Sequence, residues 1–317
     1  MKMTHPTRIL KRVAQSPVIT IKDYPEIAQI FNPTAVRIRD EIILVVSVIE
    51  HAATHGYGRE VGQTRIARSK DGINFTLGKE NFITIPSDEE PWSLYCHFID
   101  NRITKIDDTY YIITPVMVDG YLCPVGLLGK TTDFTTYEKI AVITQPENRG
   151  ASLFPGKIDG KYWKLDRPSG CSGMSGDIWI SSSPDLIHWG NFRPVLAPNY
   201  RFWNMQKIGP TPPIRTDRGW LEIIHGVGLS TAGQVYRLGA ILLDLNEPWK
   251  IIGKTNSYIL SPEEDYELSG VTHNTVFACG GLAENDLLHL YYGACDTCIG
   301  YAKGSLSELV NACLNEL

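Results

Sequence analysis

Residues 96–114 read CHFIDNRITKIDDTYYIIT. A β-branched run leads to the Asp107-Asp108 pair and a second β-branched and aromatic run follows, so the stretch predicts strand, tight turn, strand. One carboxylate, Asp100, stands near the start of the first strand beside Phe98, Ile99 and Ile103. A charge so placed loses hydration and requires a partner or a role.

The unit recurs. A turn followed by an aromatic or aliphatic strand appears at 40–46 (DEIILVV), 107–113 (DDTYYII), 159–165 (DGKYWKL), 218–224 (RGWLEII) and 285–291 (NDLLHLY). Each copy follows another strand: FNPTAVRI from Phe31, HFIDNRITKI from His97, RGASLFPGKI from Arg149, KIGPTPPI from Lys207 and HNTVFACG from His273. A third element, a small polar residue, Asp and then an aromatic, recurs as SKDGINF from Ser69, TTDFTTY from Thr131 and SPDLIHW from Ser183. Repeats of this size predict an all-β five-bladed β-propeller, because one blade cannot cover both of its faces and radial stacking does. A β-sandwich would show turns about every 8–12 residues without the longer period. The expected organisation is a single domain over residues 1–317, with an N-terminal extension at 1–25 and a short C-terminal helix at 304–317 that packs on its own propeller or on a second copy.

At 317 residues and 43% hydrophobic composition, the chain can bury a sizeable core. Its net charge of −5 supplies no basic field for nucleic acid or anionic membrane, so a basic site has to be local and sized for a small anion. The start of the chain has no continuous apolar stretch of the signal-peptide kind, and no run approaches the roughly 18 residues of a membrane span. Seven cysteines are an odd, scattered set that suits reduced thiols and a cytoplasmic setting. Cys295 and Cys298 have CxxC spacing but no second pair, and are expected as packed thiols. No metal-binding, dinucleotide or P-loop motif occurs, so neither a metal nor an organic cofactor is expected. Among the many aromatics, including Trp92, Tyr95 and Tyr236, most are expected in the core and one or two at the funnel mouth, stacked on a sugar ring.

In a propeller the inner strands line a central channel. The first strands of the five units carry Asn32, Asp100, Arg149, Lys207 and His273 near their starts. The second strands end at Glu50, Thr114, Arg167, His225 and, just beyond, Asp296. The repeat thus predicts a pocket with one candidate acid and a cluster of cations. Such cations repel unless an anion sits among them, and guanidinium forks suit phosphate or sulfate.

These stretches resemble glycoside hydrolase family 130, the inverting β-mannoside phosphorylases and related β-mannosidases. TRIARSKDGINF, FIDNRITKIDDTYY, NRGASLFPGKIDGKYWKLDRP, KIGPTPPIRTDRGWLEIIHGV, PEEDYELSGVTHNTVF and YYGACDTCIGYA follow in family order over about residues 31–302. The resemblance implies that Asp100 is the catalytic acid and that Arg149, Arg167, Lys207 and His225 hold phosphate, with Tyr236 near the anion. It implies that Asn32, Arg65 and Asp296 line the mannose pocket. Glu50, Tyr95, Arg102, Asn148 and His273 complete the expected substrate-binding set. Around the acid the family reads Glu-Asp-Pro-Arg-Ile, whereas this chain has Ile99-Asp100-Asn101-Arg102-Ile103. It also has Ser47-Val-Ile-Glu50 where many members carry an Arg before Val-Glu.

One strong acid beside a nest of cations fits phosphorolysis, since phosphate needs positioning rather than a base. The expected partners are a β-mannoside and inorganic phosphate as co-substrate, with α-mannose 1-phosphate as product and the acid's proton relayed through the sugar 3-hydroxyl in the family. A β-mannosidase would need a second carboxylate as base, for which Glu50 and Glu267 are the candidates. A non-catalytic sugar-binding propeller would leave Asp100 at a blade edge, away from the cations.

Overall fold

The computed structural model describes residues 9–51, 54–55, 59–84, 95–118, 124–169, 176–199, 203–231 and 233–315. The five repeats form five antiparallel sheets. The first blade runs Ile27–Ile38, Glu41–Glu50, Gln63–Ser69 and Thr76–Leu77, from the channel outward. The second is Arg102–Ile106, Thr109–Val118, Val125–Thr131 and Glu138–Val142, and the third Ser152–Ile158, Lys161–Asp166, Ile178–Ser183 and Gly190–Leu196. The fourth splits its inner strand into Lys207–Gly209 and Ile214–Arg215, then continues through Trp220–Ser230, Gly233–Leu243 and Ile251–Lys254. The fifth also has a divided inner strand, Val276–Phe277 and Leu282–Glu284, followed by Leu287–Ala294 and Cys298–Ser305.

Local chemistry explains the hairpins. The turns between inner and second strands place Arg39, Asp107, Asp159 and Asn285 in the left-handed region, where Asp and Asn are the best tolerated residues after Gly. The recurrent Asp closes the turn between third and fourth strands. Asp71, Asp133 and Asp185 each accept two backbone N–H bonds on Oδ1, from residues two and three positions later. Asp244 does the same in the fourth blade, a copy that its different sequence, DLNEP, conceals. These bonds, preceded at Asp133 by the larger effect of the Thr135 hydroxyl, hold all four carboxyls below the ordinary range.

Each pair of neighbouring blades encloses its own apolar cluster. Val36, Ile43 and Val45 of the first blade meet Ile103, Ile112 and Leu127 of the second. Phe154, Leu165 and Ile180 of the third meet Trp220, Ile224 and Ile241 of the fourth. The helix Leu306–Asn315 buries Leu306, Leu309, Val310 and Cys313 against the fourth and fifth blades of its own chain. Among the described cysteines Cys279, Cys295, Cys298 and Cys313 are buried thiols. Cys123 and Cys171 lie outside the described residues. No helix among the described residues is long and apolar enough to cross a membrane.

The expected N-terminal extension is woven into the last blade. Lys11–Arg12 and Ile19–Thr20 pair with Cys298–Ser305 and supply its outer edge, so the ring closes with the two ends of the chain in one sheet. A buried ion pair fastens this closure. Arg12 donates through Nε and Nη2 to the two oxygens of Glu267 at 2.8 and 2.7 Å, while Tyr292 donates to Glu267 at 2.6 Å. Burial pushes the Glu267 carboxyl up, but the bonds from Arg12 and Tyr292 outweigh it and hold it below its ordinary value. Its stabilising contribution is therefore present above the ordinary carboxylate range and is lost as pH falls through the lowered value. Replacing Arg12 by Leu strands a fully buried carboxylate, and urea unfolding is expected to show a loss of about 3 kcal/mol.

Candidate active site

The propeller brings the starts of inner strands and the ends of second strands to one mouth of the channel. In the third blade the Asn148–Pro168 bridge sets Arg149 beside Arg167, with Arg149 N–H on the Arg167 carbonyl at 3.3 Å. In the fourth, the pairs Lys207–Val227 and Gly209–His225 place the lysine and the imidazole on adjacent strands. A cavity of about 480 Å³ opens there. It is lined by Asn32, Asp100, Arg149, Arg167, Lys207, His225, Tyr236, His273 and Asp296, contributed by all five repeats. This volume lies in the range of small-ligand clefts.

Asp100 is 3% exposed, and its backbone is left-handed with φ 57°. Asn32, also left-handed at φ 47°, donates its amide to Oδ1 at 2.6 Å. Arg149 donates Nε and Nη2 to Oδ2 at 3.1 and 2.7 Å. Two further groups pin the main chain: Ser47 Oγ accepts the Asp100 N–H at 2.9 Å, and Arg102 donates to the Asp100 carbonyl at 2.6 Å. Strained left-handed backbone held by such over-determination is a mark of functional sites. Burial pushes the Asp100 carboxyl up, but the charges of Arg149 and Arg102 and the bonds from Asn32 and Arg149 prevail and hold it at about 2.

The cations are unequal. Arg149 has its counter-charge in Asp100, and its side chain is still 44% exposed. Arg167 is 7% exposed and has no carboxylate in ion-pair range among the described residues. Its Nε lacks a partner among the described residues, and Nη1 meets His225 Nε2 at 3.5 Å. Burial, then the charges of Arg149 and Arg102, lower the Arg167 guanidinium to about 10. Lys207 sets its ammonium 5.3 Å from the Tyr236 ring centre and also lacks a described carboxylate partner. His225 is fully buried against Phe277, ring centres 4.4 Å apart, with Nδ1 unpartnered among the described residues. Burial and the surrounding cations hold it well below the usual histidine value, hence neutral. Gly209 has to be glycine: a Cβ there would lie 2.2 Å from the His225 ring and 2.7 Å from Arg167 Cδ. The Asp296 carboxyl is raised to about 6 by burial and by the charge of Asp100. Such a set of excess positive charge around one hole suits a small, multiply charged anion.

Four of the expected site residues do not line this cavity. Glu50 and Arg65 form an ion pair with each other, and Glu26 lies 3.8 Å from Arg65. Arg102 lies beneath the cavity, its Nε on the Pro210 carbonyl, supporting the main chain of Asp100. Asn148 joins Asp166 to the Arg167 N–H and so sets that arginine from behind. The side chain of Tyr95 and all of Trp92 lie outside the described residues. Phe31, Gln234, Thr272, Thr275 and Phe277 line the cavity without having been singled out. Their residue types signal nothing alone; only their place beside the strand ends would have found them.

The departures around the acid have a physical account. Asn101, fully buried, donates to Thr64 at 2.9 Å, accepts from Thr114 at 2.6 Å, and its carbonyl accepts from Thr34. This polar lattice ties the first two blades together beside Asp100, where a proline would offer no side-chain bond. Ser47 adds the bond to the Asp100 N–H. Asn101→Ala leaves two buried threonine hydroxyls short of a partner, and is expected to cost about 2 kcal/mol in thermal or urea unfolding.

Fold and cavity define a five-bladed propeller with one acid-and-cation site at the channel mouth. Comparison with known proteins takes this further. A family model described as beta-1,4-mannooligosaccharide phosphorylase, that of glycoside hydrolase family 130, matches residues 2–315, and the chain belongs to this family. Its enzyme class is glycoside phosphorylase. The chain is 38% identical to a beta-1,2-mannobiose phosphorylase of Listeria innocua over 258 residues, 80% of this chain and 70% of that one. It is 35% identical to a 1,2-beta-oligomannan phosphorylase of a Thermoanaerobacter species over 304 residues, 95% and 98% of the two chains. The solved Listeria innocua beta-1,2-mannobiose phosphorylase, in complex with beta-1,2-mannobiose, superposes with a TM-score of 0.85 over 97% of this chain and 99% of that one, at 29% identity.

Proposed function

We propose that this enzyme cleaves β-1,2-linked mannosides with inorganic phosphate, by inversion, to give α-mannose 1-phosphate. The observation that carries the reading is the cavity itself: one buried acid facing Arg149, Arg167, Lys207 and His225. The 1,2 linkage is favoured by the relatives, since both the Listeria innocua and the Thermoanaerobacter enzymes bear names for β-1,2 substrates. A phosphate oxygen held by the cations attacks the anomeric carbon. The glycosidic C–O bond breaks as the proton of Asp100, passed through the sugar 3-hydroxyl as in the family, reaches the leaving oxygen. Asn32, Asp296 and His273 face the mannose, and Tyr236 flanks the anion. The odd, scattered set of seven cysteines motivates a cytoplasmic setting, where phosphate is abundant.

Hydrolysis is the second reading. Its two candidate bases stand elsewhere: Glu50 is paired with Arg65, and Glu267 is fully buried against Arg12 and Tyr292. Asp296 is the remaining cavity carboxylate able to activate water, and a carboxyl near 6 is suited to that work.

Incubation of β-1,2-mannobiose with phosphate should yield mannose 1-phosphate and one equivalent of mannose, followed by phosphorus and proton magnetic resonance. Free mannose formed equally well without phosphate would transfer the assignment to hydrolysis. Asp100→Asn should lower kcat by about a thousandfold while circular dichroism stays native, because the amide retains the shape and lacks the acidic proton. Near-native turnover would remove Asp100 from the role.

A further inference from the structure

An acid has to carry its proton before it can give it away, yet the protein's own groups hold Asp100 ionised. This inference rests on the reading of the cavity as a phosphate site. Arg149 spends two of its donors on a single oxygen, Oδ2, while its exposed flank faces the same cavity as Arg167, Lys207 and His225. One guanidinium therefore serves two competing anions, the carboxylate and any phosphate seated among the other cations.

We propose that the anion loads the acid: a tetrahedral dianion bound among Arg149, Arg167, Lys207 and His225 draws Arg149 away from Asp100, and Asp100 then takes up a proton from solvent on Oδ2. Oδ1 keeps the amide of Asn32. Arg102, bonded to the Asp100 carbonyl, stays in place and limits the effect. The other titratable neighbours are Cys279, Asp296 and His225. Cys279 is buried and raised to about 12, so it stays a thiol throughout. Asp296 is raised partly by the charge of Asp100, so neutralising Asp100 removes part of that push as the incoming anion adds its own. His225 is held neutral by burial and the surrounding cations, with Nε2 facing the Arg167 Nη1–H at 3.5 Å, so it adds no charge to the balance.

The cycle balances. The proton acquired by Asp100 goes to the leaving sugar oxygen as the glycosidic bond breaks and the carbon–phosphate oxygen bond forms. Arg149 reclaims the carboxylate when the sugar phosphate departs, and the hydroxyl proton of the former hydrogen phosphate is lost to solvent as the ester ionises. The acid is thus armed only when its co-substrate is present, which disfavours protonation of a bound glycoside with water as the sole acceptor.

Sulfate is the probe, because its double charge does not titrate near neutrality. Titration calorimetry in buffers of different ionisation heat, at about pH 6, should show uptake of close to one proton per bound sulfate in Asp296→Asn, where the second cavity carboxyl is silent, and nearly none when Asp100→Asn is added to it. Sulfate affinity of Asp296→Asn should fall by up to about tenfold per pH unit on raising the pH, while the double variant binds more tightly and with a flat profile. Binding to Asp296→Asn without proton uptake, or uptake that survives in the double variant, overturns the proposal and leaves the anion site standing. No sulfate or phosphate binding by the native enzyme overturns both. Independently of whether Asp100→Asn folds, difference infrared spectra of Asp296→Asn should gain a protonated carboxyl band on adding sulfate; absence of that band with sulfate bound also overturns it.

Discussion

The contact between Asp100 and Arg149 is the constraint on which the site depends. It joins the second blade to the third across the channel mouth and fixes the ionisation of the one deeply buried cavity acid. Everything around it follows from the need to keep that carboxylate in place. Asn32 from the first blade occupies the other oxygen, Ser47 and Arg102 hold the main chain, and Asn101 knits the adjoining strands. The remaining cations, Arg167 and Lys207, have no comparable partner among the described residues, and this imbalance is what gives the cavity its appetite for an anion.

A ring of blades also has to be kept shut. Each blade interface is an independent apolar cluster, so the contact between last and first blades is made from sequence-distant pieces. The chain solves this by sending its N-terminal segment back to pair with Cys298–Ser305, and by locking Arg12 onto Glu267. The channel mouth draws residues from all five repeats, so its geometry depends on that closure even though Arg12 lies outside the cavity. Stability and site geometry are thus coupled through the ring rather than through any direct contact.

Reading the repeats was enough to place most strands, because turn chemistry and β-branched runs are local properties. The turn-and-strand stretches at 40–46, 107–113, 159–165, 218–224 and 285–291 each begin in the observed turn and run into the second strand, which starts one or two residues later. The closing strands Lys11–Arg12 and Ile19–Thr20 were illegible, since two-residue pairings to the far end of the chain leave no periodic signal. The fourth copy of the aspartate turn, at Asp244, escaped for a related reason: its backbone bonds repeat while its neighbours do not.

At the site, strand position alone nominated Asn32, Glu50, Asp100, Thr114, Arg149, Arg167, Lys207, His225, His273 and Asp296; all line one cavity except Glu50, paired with Arg65, and Thr114, bonded to Asn101. Sequence by itself therefore determined most of the charged side chains that share the mouth, because in a propeller the starts of inner strands and the ends of second strands arrive at the same place. What it did not determine was their pairing. Arg102 and Arg149 are both arginines near Asp100, yet one lies beneath the main chain and the other faces the cavity; Arg65 is spent on Glu50. Nor was the ionisation of Asp100 readable, since apolar neighbours and cations act in opposite directions. Only the tertiary structure decides such questions, because electrostatic outcome depends on distances of a few ångströms between residues from different blades, and those distances exist only once the ring has closed.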